Sequence, residues 1–303
     1  MELSNLEILE KIDEARKFQK LGKFKEAEKV YSESLIDNGN SFDLIYSYAL
    51  FCKDLNNFIL AKRLLVNLTK RFPSDIKPFI VLSEILTIEN RFTEAEQVLL
   101  LAKNIDPKNS DLLYNFSRLY RSGKSFELSL KYINQAIDLN KNIDIYRIFK
   151  ADILLCKDKT DQALSILEEM KSAERNSKQL QIKNLISKIN IRKKKYKNAE
   201  EILLEMVYEY SHLEIGYLNL SNLYFLNKEL DKGLNIINKG ISRFPDYIPF
   251  YKNLAAIYKN KGQFNKAIEC HLLILKKNKL NFLSYYELST IYDFKKHKDD
   301  LNR

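Results

Sequence analysis

The sequence predicts an all-α protein built as a solenoid of antiparallel helix pairs. Composition is the first observation: the 303 residues are 45% apolar and 30% charged, but include only 7 glycines and 5 prolines. That is too few for a fold rich in strands and tight turns. The second observation is a short pattern that recurs along the chain, as in LGKFKEAEKVY (21–31) and ENRFTEAEQVL (89–99). A period of 20 to 50 residues is typical of stacked repeats.

A small residue at the centre of this pattern sets the period. Successive small residues are 34 positions apart, with one interval of 36. Three positions earlier most repeats carry an aromatic residue, and four positions later most carry an apolar one. The small residues are Ala27, Ala61, Ala95, Ser129, Ala163, Ala199, Gly233 and Ala267. The predicted repeats, numbered 1 to 8, are 8–41, 42–75, 76–109, 110–143, 144–177, 180–213, 214–247 and 248–281.

Each repeat has the pattern of a helix, a turn and a second helix. In repeat 8, FYKNLAAIYKNKG (250–262) and FNKAIECHLLIL (264–275) both space apolar residues helically. The small residue lets the two helices approach closely, and prolines 73, 107 and 245 end second helices. The turn needs a residue that accepts the left-handed conformation. The candidates are Gly22, Asn56, Asn90, Gly123 and Gly262.

The end of the chain and repeat 5 depart from the pattern. Residues 282–303 predict a ninth first helix that caps the solenoid, with Tyr285, Leu288 and Tyr292 on its inner face. Repeat 5 has Thr160 in place of the aromatic residue, and extra residues near 174–179 break the phase. We interpret this region either as a joint between repeats 1–4 and repeats 6–9 or as a degenerate repeat.

The 34-residue unit, with its aromatic, its small residue and its closing proline, resembles the tetratricopeptide repeat. The resemblance implies a right-handed superhelix whose first helices line a concave groove, with positions 2, 5, 6, 9, 12 and 13 of each repeat facing it. The candidate groove residues are Tyr114, Asn115, Arg118, Arg121, Asn184, Lys188, Asn219, Asn222, Lys252, Asn253 and Lys259. The closing segment YYELSTIYDFKKHKDDL (285–301) weakly resembles the region that joins such repeats to bacterial sulfotransferase domains.

Two patterns of groove residues known in this family can be compared with the sequence. The carboxylate clamp of co-chaperones is not formed, because Leu218, Leu283 and Glu287 stand where its cations belong. The asparagine ladder of O-linked N-acetylglucosamine transferases is matched in part, by Asn115, Asn219 and Asn253. An amide offers both a donor and an acceptor, so such a ladder can bind a peptide backbone without reading its side chains.

Charge favours an acidic partner. Residues 180–303 carry 22 Lys and Arg against 13 Asp and Glu, whereas residues 1–179 are nearly balanced. Lys and Arg in the groove would pair with carboxylates. The basic run RKKKYK (192–197) lies in the predicted turn of repeat 6 and lacks the interleaved aromatic residues of single-strand binders, which disfavours a nucleic-acid partner.

No pattern in the sequence indicates catalysis. Phosphate-binding glycine loops and HExxH are absent, the three cysteines are far apart, and His271 occupies a packing position. We predict no cofactor and no metal. The N-terminus lacks the apolar run of a signal peptide and no stretch is long enough to span a membrane, which predicts a cytoplasmic protein. The expected function is a non-catalytic scaffold that binds a peptide or acidic segment. The alternative is a substrate-recruiting module of a sulfotransferase or glycosyltransferase system.

Overall fold

Helices make up nearly all of the regular structure. The computed structural model describes residues 4–171 and 178–301, and within these ranges it contains helices and no strands. The helices are α1 (Asn5–Lys20), α2 (Phe24–Asp37), α3 (Phe42–Asp54), α4 (Phe58–Arg71), α5 (Lys77–Ile88), α6 (Phe92–Ile105), α7 (Ser110–Ser122), α8 (Phe126–Leu139), α9 (Asp144–Cys156), α10 (Thr160–Lys171), α11 (Gln179–Arg192), α12 (Tyr196–Glu209), α13 (Glu214–Leu226), α14 (Leu230–Arg243), α15 (Ile248–Asn260), α16 (Phe264–Lys277) and α17 (Phe282–Leu301). Odd-numbered helices are first helices and even-numbered ones second helices. Within α1 to α9 and within α10 to α17, consecutive helices pack on each other, which confirms the predicted all-α solenoid of helix pairs.

The chain divides into two compact units. Unit 1 is residues 1–159 and contains α1 to α9, and unit 2 is residues 160–303 and contains α10 to α17. The division falls inside repeat 5, between its two helices. The joint predicted near 174–179 lies mostly on 172–177, outside the described residues, and stays a prediction.

Both helices of each repeat carry a buried small residue. Seven of the eight small residues that define the period are fully buried, and Gly233 is buried as well. The first helices carry a second series of buried small residues, which the sequence analysis did not single out: Ala15, Ala49, Ser83, Ser117, Ala151, Ser187, Ser221 and Ala255. In repeat 4 the two series meet directly, because each hydroxyl of Ser117 and Ser129 donates to the other residue's carbonyl at 2.8 Å.

The turn inside each repeat uses one left-handed residue. Positive φ values between 57° and 71° occur at Gly22, Asn56, Asn90, Lys124, Asp158, Lys194, Lys228 and Gly262, all at position 15 of their repeats. The prediction was therefore wrong for Gly123, which belongs to the ordinary C-cap of α7 with φ −76°. Position in the repeat determines which residue turns left-handed, and in repeat 4 that residue is Lys124.

Junctions between repeats pair a large side chain with a small one. An ideal Cβ on Gly216 would lie 3.3 Å from the carbonyl carbon of Met206 and 3.2 Å from Val207 Cγ2. The helix that carries Gly216, α13, therefore approaches the backbone of α12 closely. At the next junction the arrangement is reversed, and Gly240 of α14 faces the buried ring of Phe250. A side chain on both partners would overfill either junction.

The terminal helix α17 exposes more of its apolar surface than predicted. Leu288 is 8% exposed, as expected, but Tyr285 and Tyr292 are 52% and 54% exposed, so their placement on an inner face was wrong. At the same positions of repeat 7, Tyr217 and Tyr224 are buried because α14 packs on α13. No second helix covers α17 in the described residues. The side chains of the predicted charged cap beyond 292 lie outside the described part.

Candidate functional site: the first-helix face

The first helices of neighbouring repeats form a continuous face within each unit. In unit 1, α1 contacts α3, α3 contacts α5 and α5 contacts α7; in unit 2, α13 contacts α15. Among the described residues, successive second helices show no comparable packing on each other. We call the surface made by the odd-numbered helices the first-helix face. The predicted groove residues are on α7, α11, α13 and α15.

A three-member ion network crosses this face in unit 1. Glu84 on α5 accepts from Lys53 Nζ of α3 at 2.9 Å and from Arg118 Nη1 of α7 at 2.6 Å. The Glu84 side chain is only 17% exposed. Arg118 also donates to Asn115 Oδ1 at 3.1 Å. The predicted anion-binding Arg118 is thus already neutralised by a carboxylate from the chain itself.

The other groove residues of α7 are also engaged. Arg121 Nε lies 2.5 Å from Asp152 Oδ2 of α9. Asn115 is buried and donates from Nδ2 to the carbonyl of Asp111 in its own helix at 2.9 Å. Tyr114 packs against the rings of Tyr146 and Phe149, at 5.1 and 5.2 Å between centroids, and this burial raises the pKa of Tyr114. The predicted groove residues of α7 are therefore paired within the chain itself.

Two amide pairs cross the same face in unit 2. Asn219 of α13 donates from Nδ2 to Asn184 Oδ1 of α11 at 2.6 Å. Asn253 of α15 donates in the same way to Asn222 Oδ1 of α13, also at 2.6 Å. Each pair leaves one amide NH₂ group and one amide oxygen for further hydrogen bonds. The predicted asparagines are brought together here, as rungs between adjacent repeats rather than as one straight line.

The predicted groove cations of unit 2 are less fully paired than Arg118 and Arg121 of unit 1. Lys259 of α15 donates to Glu287 of α17 at 3.0 Å. Lys188 on α11 is exposed and Lys252 on α15 is half-buried. Within the part of the chain that the structure describes, neither Lys188 nor Lys252 has a carboxylate at ion-pair distance. These two ammonium groups are the positive charges that the face offers to a partner.

The predicted basic run 192–197 is a structural turn. Lys193 forms an ion pair with Asp161, Lys194 is the left-handed residue, and α12 begins at Tyr196. Two other repeats have the same arrangement, since Lys157 pairs with Glu127 and Lys261 pairs with Asp231. The run thus follows a pattern of inter-repeat pairing that recurs elsewhere in the chain.

The thiols and possible metal ligands do not form a reactive group in the described residues. Burial raises the pKa of Cys52 to about 12 and that of Cys270 to about 11, so both thiols stay protonated near neutral pH. No cluster of three His, Cys, Asp or Glu suited to a metal ion occurs in 4–171 or 178–301. Over the same residues, no helix has both the length and the apolarity needed to cross a bilayer.

The family model of the tetratricopeptide repeat matches residues 110–143 and 248–272. The first match has the same bounds as predicted repeat 4, and the second begins where predicted repeat 8 begins. These two segments are tetratricopeptide repeats. The all-helical repeat fold of the chain is typical of non-enzymatic scaffolds that bind proteins along an extended face. No curated protein sequence matches it.

Solved structures of tetratricopeptide-repeat type share the fold at low sequence identity. A tetratricopeptide repeat protein from Parabacteroides merdae is 14% identical, with a TM-score of 0.66, and the match covers 82% of this chain and 98% of that one. Yeast Tom70 is 15% identical with a TM-score of 0.68, over 90% of this chain and 59% of Tom70. A chain of the APC/C hetero-tetramer Cut9–Hcn1 is 13% identical with a TM-score of 0.59, over 88% of this chain and 52% of that one. The sulfotransferase resemblance of 285–301 gains no support from these comparisons.

The carboxylates that neutralise the groove cations were not predicted from the sequence. Glu84, Asp152 and Glu287 were not recognised as partners of Lys53, Arg121 and Lys259. A signal was present, because Lys53 to Glu84 and Arg121 to Asp152 are both spaced by 31 residues, which joins position 12 of one repeat to position 9 of the next. Opposite charges at that spacing predict an inter-repeat ion pair.

Proposed function

We propose that the protein is a non-catalytic scaffold that binds an extended peptide segment of acidic character along the first-helix face of unit 2. The observation that carries the proposal is the contrast between the two units. The predicted groove cations of unit 1, Arg118 and Arg121, are paired with Glu84 and Asp152, whereas Lys188 and Lys252 of unit 2 have no such partner among the described residues.

The two amide pairs support binding to a peptide backbone. An extended peptide presents its own N–H and C=O groups, and the remaining NH₂ and oxygen groups of the Asn184–Asn219 and Asn222–Asn253 pairs match them. The pairs also fix each side chain before binding, which lowers the entropy lost when a partner is ordered.

Charge supports the acidic character of the partner. The excess of Lys and Arg is concentrated in residues 180–303, and Lys188 and Lys252 lie on the same face as the amide pairs. Exposed charges of this kind raise the association rate more than the affinity, and salt weakens their effect. Binding that is faster at low ionic strength is therefore expected.

A peptide array probed with the full chain tests the proposal. The array carries extended peptides with zero to four acidic residues, and hits are measured in solution by fluorescence polarisation. The triple variant Lys188→Ala, Asn219→Ala and Asn253→Ala should weaken binding of acidic peptides at least tenfold.

A control of matched composition is available on the second helix α14. The exposed residues Asn235, Asn238 and Lys239 provide two asparagines and one lysine, and their triple replacement by alanine should leave binding unchanged. If both triple variants bind acidic peptides as tightly as the natural chain, the first-helix face of unit 2 is not the binding surface.

A further inference from the structure

A cavity of about 320 Å³ lies where α15, α16 and α17 meet in unit 2. Its polar lining comes from α15, α16 and α17, and alanine and leucine side chains form the rest. The polar residues are Lys252, Lys259, Asn260, His271, Ser284 and Glu287. The cavity is three times the size of the one between α5 and α7 in unit 1, which measures about 110 Å³. It is large enough for one amino-acid residue of a ligand.

Polar residues replace apolar ones in the core at this junction. His271 is 6% exposed and occupies position 24 of its repeat, where the other repeats have Tyr31 or a buried leucine or isoleucine. Ser284, buried as well, occupies position 3, where the preceding repeat has Phe250. Nδ1 of His271 lies 3.4 Å from Ser284 Oγ. Because buried polar groups cost stability unless they are satisfied, a polar pair at the junction that holds the cavity favours a binding role.

The charges around the cavity do not cancel. Lys259 is paired with Glu287 at 3.0 Å. Lys252 faces the same space and has no carboxylate at ion-pair distance in the described residues. One ammonium group is therefore left for a ligand, beside an imidazole that can gain a proton.

We propose that this cavity binds a single carboxylate group, with Lys252 as its ion-pair partner and His271 as a hydrogen-bond donor on the cavity wall. The inference rests on the proposed function, since the carboxylate would belong to a segment that follows the first-helix face of unit 2. It comes either from an acidic side chain or from a chain terminus. Neighbouring alanines, with their small side chains, leave room for the residue that carries it.

The proposal makes ligand binding depend on pH. Burial lowers the pKa of His271, and Lys252 and Lys259 lower it further, whereas Glu287 acts in the opposite direction. A carboxylate beside the imidazole favours its protonated form, so binding raises the pKa of His271. By linkage, a rise of about one in this pKa corresponds to roughly tenfold tighter binding to the protonated protein.

An NMR titration of the full chain tests this directly. The three histidines are isotope-labelled, and the pKa of His271 is measured alone and with each of three capped probes. N-acetyl-glutamate N-methylamide supplies a side-chain carboxylate, N-acetyl-alanine a terminal one, and N-acetyl-glutamine N-methylamide no charge. We expect at least one carboxylate probe to raise the pKa of His271 by about one and the glutamine probe to leave it unchanged.

Three variants complete the test. Lys252→Met should abolish the carboxylate effect, while Lys239→Met, which removes an exposed lysine of α14 outside both the cavity and the first-helix face, should preserve it. His271→Gln should bind the same probe with an affinity that no longer changes between pH 5 and pH 8. Helix content by circular dichroism establishes that each variant is folded. If Lys252→Met does not fold, the pH dependence of binding to His271→Gln decides the test.

Two outcomes would overturn the proposal. One is a His271 pKa that neither carboxylate probe moves, and the other is an equal rise in the natural chain and in Lys252→Met. The probes are too short to reach the amide pairs, and Lys252 is unchanged in the triple variant of the peptide test. Failure of the cavity and failure of the proposed groove are therefore separate results.

Discussion

The contact between Gly240 and Phe250 predicts that an alanine at position 240 is harmful although it is a better helix former. Gly240 is inside α14, where replacing glycine by alanine usually stabilises by about 1 kcal/mol. An ideal Cβ at this position, however, would lie 2.8 Å from Cζ and 3.0 Å from Cε2 of Phe250. The Phe250 ring is fully buried and packs edge-on against Tyr247 at 5.0 Å, so it cannot swing aside freely.

The magnitude follows from these opposing effects. Overpacking a well-filled site costs typically about 1–3 kcal/mol, so Gly240→Ala should lower the free energy of unfolding by up to about 2 kcal/mol. Phe250→Leu alone leaves space and should cost roughly 1–2 kcal/mol. Together the two changes reproduce the combination at the junction of repeats 3 and 4, where Ala102 and Leu112 are both fully buried. The free energy of unfolding should therefore fall less in the double variant than the sum of the two single losses, by a coupling energy of about 1–2 kcal/mol.

Urea unfolding of the four proteins, followed by helix ellipticity, measures this cycle. The loss of unfolding free energy caused by Phe250→Leu is measured in the natural chain and in Gly240→Ala. Both measurements use the same two-state analysis of the unfolding curves. The reasoning is refuted if Gly240→Ala raises the unfolding midpoint on its own, or if the two changes are additive within error.

Three further predictions concern stability. Lys228→Gly should stabilise the protein by about 0.5–1 kcal/mol and so raise its melting temperature. Lys228 has φ +61°, and a left-handed conformation costs residues other than glycine roughly 1–2 kcal/mol. A lower melting temperature would contradict this. Glu84→Gln should lower the free energy of unfolding, measured in urea, by about 1–2 kcal/mol, because two cations lose the carboxylate they share. Removal of the exposed Glu33 on α2 is the control. An equal loss of unfolding free energy in both variants would argue against the network. His271 has a folded pKa below its unfolded value, so its contribution to stability is complete above about pH 6.5 and is lost as pH falls towards the folded pKa. In His271→Leu the fall in melting temperature between pH 7 and pH 5 should be smaller, and an unchanged fall would disprove the assignment.

The fold could be predicted because its determinants repeat. A single small residue such as Ala27 predicts no structure by itself. Small residues at intervals of 34 predict the position of both helices and of the turn between them in every repeat. The error at Gly123 shows the limit of arguing from residue type, since the phase of the repeat selects Lys124 and the chain tolerates the strain.

The candidate site could be predicted only in its outline. The groove positions taken from the family select residues that lie on first helices. Among them, Asn219 and Asn253 form hydrogen bonds between repeats. Whether a cation is available to a partner depends on the neighbouring repeat, as Arg118 shows by pairing with Glu84, 34 residues away. Inspection of one repeat at a time overlooks that pairing.

The alternation of large and small side chains at the junctions means that the repeats cannot be exchanged for one another. Excision of repeat 7 would keep the 34-residue phase but would bring Met206 against Phe250, two large side chains where each now meets a glycine. Excision of repeat 8 would instead place Gly240 opposite the small Ser284 and leave a hole. The contacts at the junctions therefore determine the order of the repeats, because each repeat packs well only against its natural neighbour.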